Sequence, residues 1–545
     1  MRAAVVTERR AARSVLALLL LLCAAAGWHA VHGLTLPHDL DNLRDLGFIQ
    51  GLLDGNRFGD PVYAGETRWY PGLIPALAAA AYRLLAPDGT PIAAAWVQAG
   101  PWLNLLAPLA FFWMTRQLLS SPGAAAAATA IFVLWNGNAP RPWLAPWDAA
   151  GYTPWPFTPN LALPFFFVGV GLVHRRCGGT VRWRDAVAIG SALGIDFLAQ
   201  PVAGLLLSGI VTAAAFAAQG IRRRTVAWLA AVASVQLAWA LLFVGPIAVR
   251  YGLHTANAAP ASWLSDVMTR ESLKRVLILD APGVLAATAA AVLLWRRRRV
   301  ERDEPAGATD GPDRRGVAIL AAWIGICVVF LVRHYACMLA PGGLLPEAAC
   351  RVTSVPAHHY HFYLQAGWAC VIGFAGWQAM RLLWGKGGTA MHAGLAAVVL
   401  LTAGAGAAAL LTRPYDRNAR QQAQRDGADI DRAAYAWILA ATRPDDLFVT
   451  ELKTDWSDPA AFSVIAAGRR LVAAPKLHSN PYVSWEERDA RRRRYLAPAD
   501  EGDEAALCGL VAEAAAAGGG TAWLLLPNGR AVAATEHAGA EPVFR

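Results

Sequence analysis

Long apolar runs recur from Ser14 to Leu411 and then stop. Each is close to the roughly 20 residues that cross a bilayer, and short Arg-rich or Gly/Pro-rich stretches separate them. The pattern predicts helices near 14–33, 96–117, 122–137, 160–174, 185–198, 202–219, 225–248, 281–295, 317–333, 361–384 and 391–412. That makes about eleven crossings. The basic clusters His174-Arg175-Arg176, Arg222–Arg224, Arg296–Arg299 and Arg381 with Lys386 then all fall on one side, together with Arg2, Arg9, Arg10 and Arg13 before the first run. Basic loops stay cytoplasmic, so the amino terminus is expected inside and the carboxy terminus outside.

The expected outer loops are 34–95, 138–159, 249–280 and 334–360, with a tight turn at Gln200-Pro201. Within the first, Tyr70-Pro71-Gly72-Leu73-Ile74-Pro75 opens an apolar stretch. If that stretch crossed, every basic cluster downstream would change sides, so it is read as a helix lying along the outer surface. The start of the chain could also serve as a cleaved signal peptide. Gly27–Gly33 is a poor cleavage site, however, and an uncleaved first helix is expected.

The division is therefore a transmembrane module over 1–413 and an extracytoplasmic α/β domain over 414–545. In the tail, helix patterns at 429–441, 484–495 and 504–517 alternate with strand patterns at 446–450, 470–474 and 521–526. The fold class is thus a polytopic α-helical membrane protein carrying a small soluble α/β domain.

Composition agrees. Apolar residues make up 56% and charged residues only 16%, which is wrong for a soluble protein of this length. The net charge of +10 resides largely in short loops between apolar runs, as the cytoplasmic bias of a membrane protein requires, so nucleic acid is not an expected partner.

The chemistry concentrates outside. Asp39 and Asp41 follow directly on the first span, a place where carboxylates are functional candidates by default. The first loop adds Arg44, Arg68 and Tyr70, and the second Arg141 and Asp148, in stretches rich in Trp and Pro. Tryptophans suit sugar faces, and arginines bind phosphate by paired hydrogen bonds. Three carboxylates, Asp39, Asp41 and Asp148, are the candidate ligands of a divalent cation, Mg or Mn. The last loop brings Arg333 and the histidines His358, His359 and His361, which suit a zinc ion, a phosphate or substrate, or an interfacial position. Cys337 and Cys350 share that loop and could form a disulfide.

Asp39-Leu40-Asp41 after the first helix, Tyr70-Pro71-Gly72-Leu73 behind it and the Leu198-Ala199-Gln200-Pro201 turn together resemble the multi-spanning GT-C glycosyltransferases that use polyprenyl-phosphate sugars. That group includes protein O-mannosyltransferases, aminoarabinose transferases and oligosaccharyltransferase catalytic subunits. The resemblance covers roughly residues 1–250. Two departures stand out: Gly72 replaces a second proline, and Asp148 is followed by Ala149 and Ala150 rather than by the Asp-x-Glu pattern of oligosaccharyltransferases. It implies inverting transfer of a sugar from a lipid-linked donor to a glycan, lipid or protein acceptor at the outer face of the inner membrane. Asp39, or alternatively Asp41, would act as general base. A transporter or flippase would place its polar residues mid-membrane, where few are found beyond Asp196; a non-catalytic envelope assembly protein would leave Asp39 without a role.

Overall fold

The computed structural model describes residues 2–37, 40–134, 151–177, 182–252, 256, 270–300, 314–339, 357–386, 404, 430–453, 458–496, 504–516, 520–525 and 531–533. Its helical part comprises α1 (Arg2–Val31), α2 (Leu40–Leu53), α3 (Leu73–Leu85), α4 (Ile92–Leu103), α5 (Leu106–Leu119), α6 (Pro122–Leu134), α7 (Thr158–Arg176), α8 (Trp183–Ala199), α9 (Pro201–Gln219), α10 (Arg223–Tyr251), α11 (Arg270–Val300), α12 (Arg314–Leu339) and α13 (Ala357–Lys386). Among the described residues, four stretches are long and apolar enough to cross a membrane by themselves: Glu8–Val31, Pro201–Gln219, Arg223–Tyr251 and Arg314–Cys337. The expected crossing at 391–412 lies outside the described residues, apart from Gly404.

The bundle is held by shape. Phe111 and Phe132 stack at its centre with Phe167 edge-on to both, and Phe166 meets Trp323 and Tyr363 edge to face. Small residues set the helix spacing. A Cβ on Gly373 of α13 would stand 2.3 Å from the Ala128 Cα of α6, so these two backbones touch. Membrane helices associate through such close approaches because lipid supplies no hydrophobic drive between them.

Two sequence expectations change. The predicted helix over 96–117 is two helices, broken after Leu103. Asn104 there turns its amide to the carbonyls of Gly100 and Trp155, both at 2.9 Å. Residues 34–95 are also more than a loop with a surface helix, because α2 forms directly after the acidic pair. Leu43, Leu46 and Ile49 recur at helical spacing and are fully buried. A helix does form within the expected stretch, as α3. Its 13 residues span roughly 20 Å, well short of a bilayer core. Ile74 and Ala79 face inward, while Leu77, Leu84 and Leu85 are exposed.

The tail folds around a sheet. Strands β1 (Leu447–Thr450), β2 (Arg470–Leu471), β3 (Ala522–Leu525) and β4 (Ala531–Ala533) run in the order β2-β1-β3-β4. β1 is parallel to β2 and β3, and β4 returns antiparallel to β3. All four residues of β1 are buried, as a central parallel strand requires. Helices α14 (Arg432–Ala441), α15 (Pro459–Ala466), α16 (Trp485–Leu496) and α17 (Glu504–Ala516) cover it. Asp431 and Asp458 cap the first two by accepting backbone amides. The helices near 429–441, 484–495 and 504–517 and the strands near 446–450, 470–474 and 521–526 are thus all present, with shifted ends. α15 and β4 are additional.

First loop and tail share one core. Leu43, Leu46, Ile49, Val62 and Tyr63 pack with Ile438, Phe448, Phe462 and Ile465. Polar links reinforce it. Asp60 accepts Asn480 Nδ2 at 2.8 Å, Arg488 pairs with Glu66 at 2.8 Å, and Arg469 pairs with Asp54 at 3.0 Å.

Candidate active site

The site assembles at the amino end of α2. Asp41 lies in its first turn, where the helix dipole favours a carboxylate, and is a quarter exposed. Arg44, one turn on, donates to Asp41 at 2.7 Å and, through its other nitrogens, to Asp45 at 2.9 and 3.2 Å. Its guanidinium also lies 4.2 Å over the Tyr70 ring. Asp45 is fully buried, and its second oxygen receives the hydroxyl of Thr158, the first residue of α7. Burial alone would lower Arg44, but Asp41, Tyr70 and Asp45 outweigh it and hold the guanidinium above its ordinary range. Burial pushes Asp45 up, opposed by Arg44 and Thr158. The Tyr70 phenol is also raised, chiefly by burial, and stays protonated.

Arg68 lies between α2 and α3. It donates to the Asn56 carbonyl at 3.2 Å, its Nε is buried without a hydrogen bond, and burial lowers its pKa. Its Nη1 fills the space beside Gly72, 2.5 Å from where a Cβ would stand. This explains the glycine in Tyr70-Pro71-Gly72-Leu73: a bulkier residue would displace the guanidinium.

A second polar group forms where α8 ends and α13 begins. Gln200 Nε2 lies 3.3 Å from His359 Nδ1. His361 is 3.5 Å from Asp280 of α11, and Gln365 bridges the two, donating to Asp280 at 2.6 Å and reaching His361 Nε2 at 3.0 Å. His358 begins the same helix, Arg333 is half-buried on α12, and Cys337 is disulfide-bonded. Phe362 of α13 packs on Phe157, next to the Thr158 that holds Asp45, so both polar groups occupy one end of the bundle.

Asp39, Arg141, Asp148 and Cys350 lie outside the described residues. Of the sequence candidates, the structure brings Asp41, Arg44 and Tyr70 together, places Arg68 against Asn56 and Gly72, and sets His359 and His361 in the second group. Sequence reading missed Asp45 as the buried partner of Arg44, although the Leu spacing of α2 puts it on the inner face. Thr158 carried no local signal, whereas His478 lies in the stretch 476–485, whose mixed aromatic, amide and basic groups suit carbohydrate contact.

No family model and no curated protein matches the chain. Solved structures do. The Archaeoglobus fulgidus oligosaccharyltransferase, tethered to an acceptor peptide containing the NVT sequon, superposes with a TM-score of 0.53 at 13% identity, over 86% of this chain and 64% of that one. Its apo form gives 0.51 at 12% identity, over 85% and 64%. The chain shares the fold of that oligosaccharyltransferase. The chain spans about 64% of the oligosaccharyltransferase's length. ArnT from Cupriavidus metallidurans in the apo state covers 95% of this chain and 94% of its own, with a TM-score of 0.42 and 14% identity.

Metal fit is limited to what Asp41 shows. Among the described residues no group of three His, Cys, Asp or Glu is placed to hold an ion. Asp41 also has a guanidinium at 2.7 Å, a poor neighbour for a divalent cation. Sharing of Mg or Mn between Asp39, Asp41 and Asp148 stays a proposal.

Proposed function

We propose that this protein is a membrane glycosyltransferase that moves a sugar from a polyprenyl-phosphate donor to a glycan, lipid or protein acceptor, with inversion. The observation that carries it is the Asp41–Arg44–Tyr70 cluster at the start of α2, set on a GT-C fold at the same bundle end as His359 and His361.

Asp39 takes the proton of the acceptor hydroxyl as its oxygen attacks the anomeric carbon from the face opposite the phosphate. The anomeric C–O bond to phosphate breaks, and polyprenyl phosphate leaves with the bonding electrons. Asp41, which accepts Arg44 Nη1 at 2.7 Å, is the alternative base. Positive charge near the leaving group stabilises the transition state. Arg68 suits that task, having a desolvated guanidinium with an unused N–H; Arg141, Arg333 and His358 are further candidates from the sequence.

Purified protein in lipid nanodiscs, given a polyprenyl-phosphate sugar fraction, should release polyprenyl phosphate and form a product of opposite anomeric configuration. Retained configuration would overturn inversion, and no release would overturn the function.

The proposed setting is the inner membrane, with the amino terminus in the cytoplasm and the domain over 414–545 outside. A cysteine in place of the exposed Phe58 should then react with an impermeant thiol reagent in intact cells, and one at Gly311 should not. The reverse pattern would place the site inside.

A further inference from the structure

The tail brings a histidine to the start of α2, and the register of two helices fixes where it lies. Gly47 of α2 leaves no room for a Cβ, which would stand 2.0 Å from the Ile465 carbonyl oxygen of α15. Gly468, just beyond α15, meets Gln50 and the Gly51 amide in the same way. Residue 47 therefore lies beside 465, and 50–51 beside 468, with the two segments running in the same direction. One turn back, this register sets Phe462 beside Arg44. His478, the last residue of the short 3-10 turn Lys476–His478, meets Phe462 edge to face with ring centroids 5.0 Å apart. The charges acting on its imidazole are accordingly those of Asp41 and Arg44.

The segment carrying it is fixed on both sides. Ser479 Oγ donates to the Lys476 carbonyl at 2.9 Å. Asn480 Nδ2 donates to Asp60 at 2.8 Å and to the Thr67 carbonyl at 3.2 Å. Tyr482 stacks on Tyr251 with centroids 5.4 Å apart, and Trp485 Nε1 donates to the Ala474 carbonyl at 2.8 Å. The amide and aromatic groups of this loop thus dock the tail onto the first loop and α10, while the imidazole is put to no such use. Its Nδ1 is buried and makes no hydrogen bond, although the ring as a whole is only half-buried. A phenyl ring would make the Phe462 contact equally well, so packing does not explain a histidine. Burial pulls its pKa down to about 4, so it is neutral near pH 7 and offers one N–H donor and one acceptor nitrogen.

We propose that His478 contacts the acceptor, hydrogen-bonding its hydroxyl-bearing part beside Asp41, so that the tail completes the site begun by the first loop. This rests on the glycosyltransferase reading above.

The test is a split between transfer and hydrolysis. Full-length protein in nanodiscs receives a polyprenyl-phosphate sugar fraction as donor. Release of polyprenyl phosphate is measured in water alone, then with increasing glycolipid extract from the expressing cells' membranes as acceptor. His478→Phe keeps the Phe462 contact and removes both nitrogens; His478→Leu replaces it if the larger ring does not fold. The half-saturating acceptor concentration should rise by about 10-fold, the loss of one substrate hydrogen bond, with hydrolysis in water within about twofold of wild type. His478→Gln, which retains a donor and an acceptor, should recover most of the difference. An unchanged acceptor requirement, or an equal loss of transfer and hydrolysis, overturns the inference while the glycosyltransferase reading stands. Absence of release by the wild-type protein overturns both.

Discussion

The helical bundle and the body formed by the first loop with the tail are stabilised in opposite ways. In the bundle the close contacts are between small residues and rings, such as Gly373 on Ala128 and Phe111 on Phe132. In the outer body the buried contacts include charges: Arg44 with Asp45, Arg488 with Glu66, and Arg469 with Asp54. A bundle in lipid discriminates by shape, whereas the outer body relies on polar pairs that fail when one partner is lost. The candidate chemistry lies in the second kind of structure, where hydrogen bonds can aim a carboxylate.

Removal of one partner from the deepest pair should have the largest effect on stability. Arg44→Met leaves Asp45 buried with only Thr158, and should cost roughly 3–5 kcal/mol in the outer body. Thermal unfolding followed by tryptophan fluorescence would show it as an early transition of the tail. A single unshifted transition would mean that the pair is not structural.

The outer body should also answer to pH through two opposed groups. Burial pushes Asp60 from 3.8 up to about 6, against the Val62 and Tyr63 amides that hydrogen-bond it. Its folded pKa exceeds its unfolded one, so its contribution is full below the unfolded value and is lost as pH rises through about 6, a change of roughly 3 kcal/mol. His478, lowered from 6.5 to about 4, does the reverse: its contribution is present above 6.5 and is lost as pH falls toward 4. The two oppose each other between pH 4 and 6. The slope of stability against pH across that window should therefore be more negative than the wild type's in His478→Phe and more positive in Asp60→Asn. Changes of slope in the same direction in both variants would refute the assignment.

For the bundle, the sharpest probe is one methyl group. Gly373→Ala places a Cβ 2.3 Å from the Ala128 Cα, backbone that cannot turn aside, and should destabilise by roughly 1–3 kcal/mol at any pH. A pH-dependent effect would blur the contrast between the two regions.

Much of this architecture is written locally. The membrane helices and the tail's main helices and strands announce themselves by periodicity, and α3 by its length and proline start. α2 was legible in principle, since Leu40, Leu43, Leu46 and Ile49 keep helical spacing, but Asp41, Asn42, Arg44 and Asp45 make the stretch read as a polar loop. The break at Asn104 depends on the Trp155 carbonyl, a partner some fifty residues away, and no local signal carries it. The same holds for the site. Asp41, Arg44 and Tyr70 stood out by type and position, and the loop 476–485 by its mixed aromatic, amide and basic groups, whereas Thr158 reaches α2 only through tertiary packing, and so does the placing of His478 there.

The central claim is that the acidic start of α2 performs sugar transfer, and Asp39 tests it most directly. Asp39→Asn keeps the side chain's shape and removes the base. Release of polyprenyl phosphate by the purified variant in nanodiscs should fall by at least about 100-fold, with its unfolding temperature unchanged. Turnover near the wild-type rate would contradict the account and remove Asp39 from the chemistry.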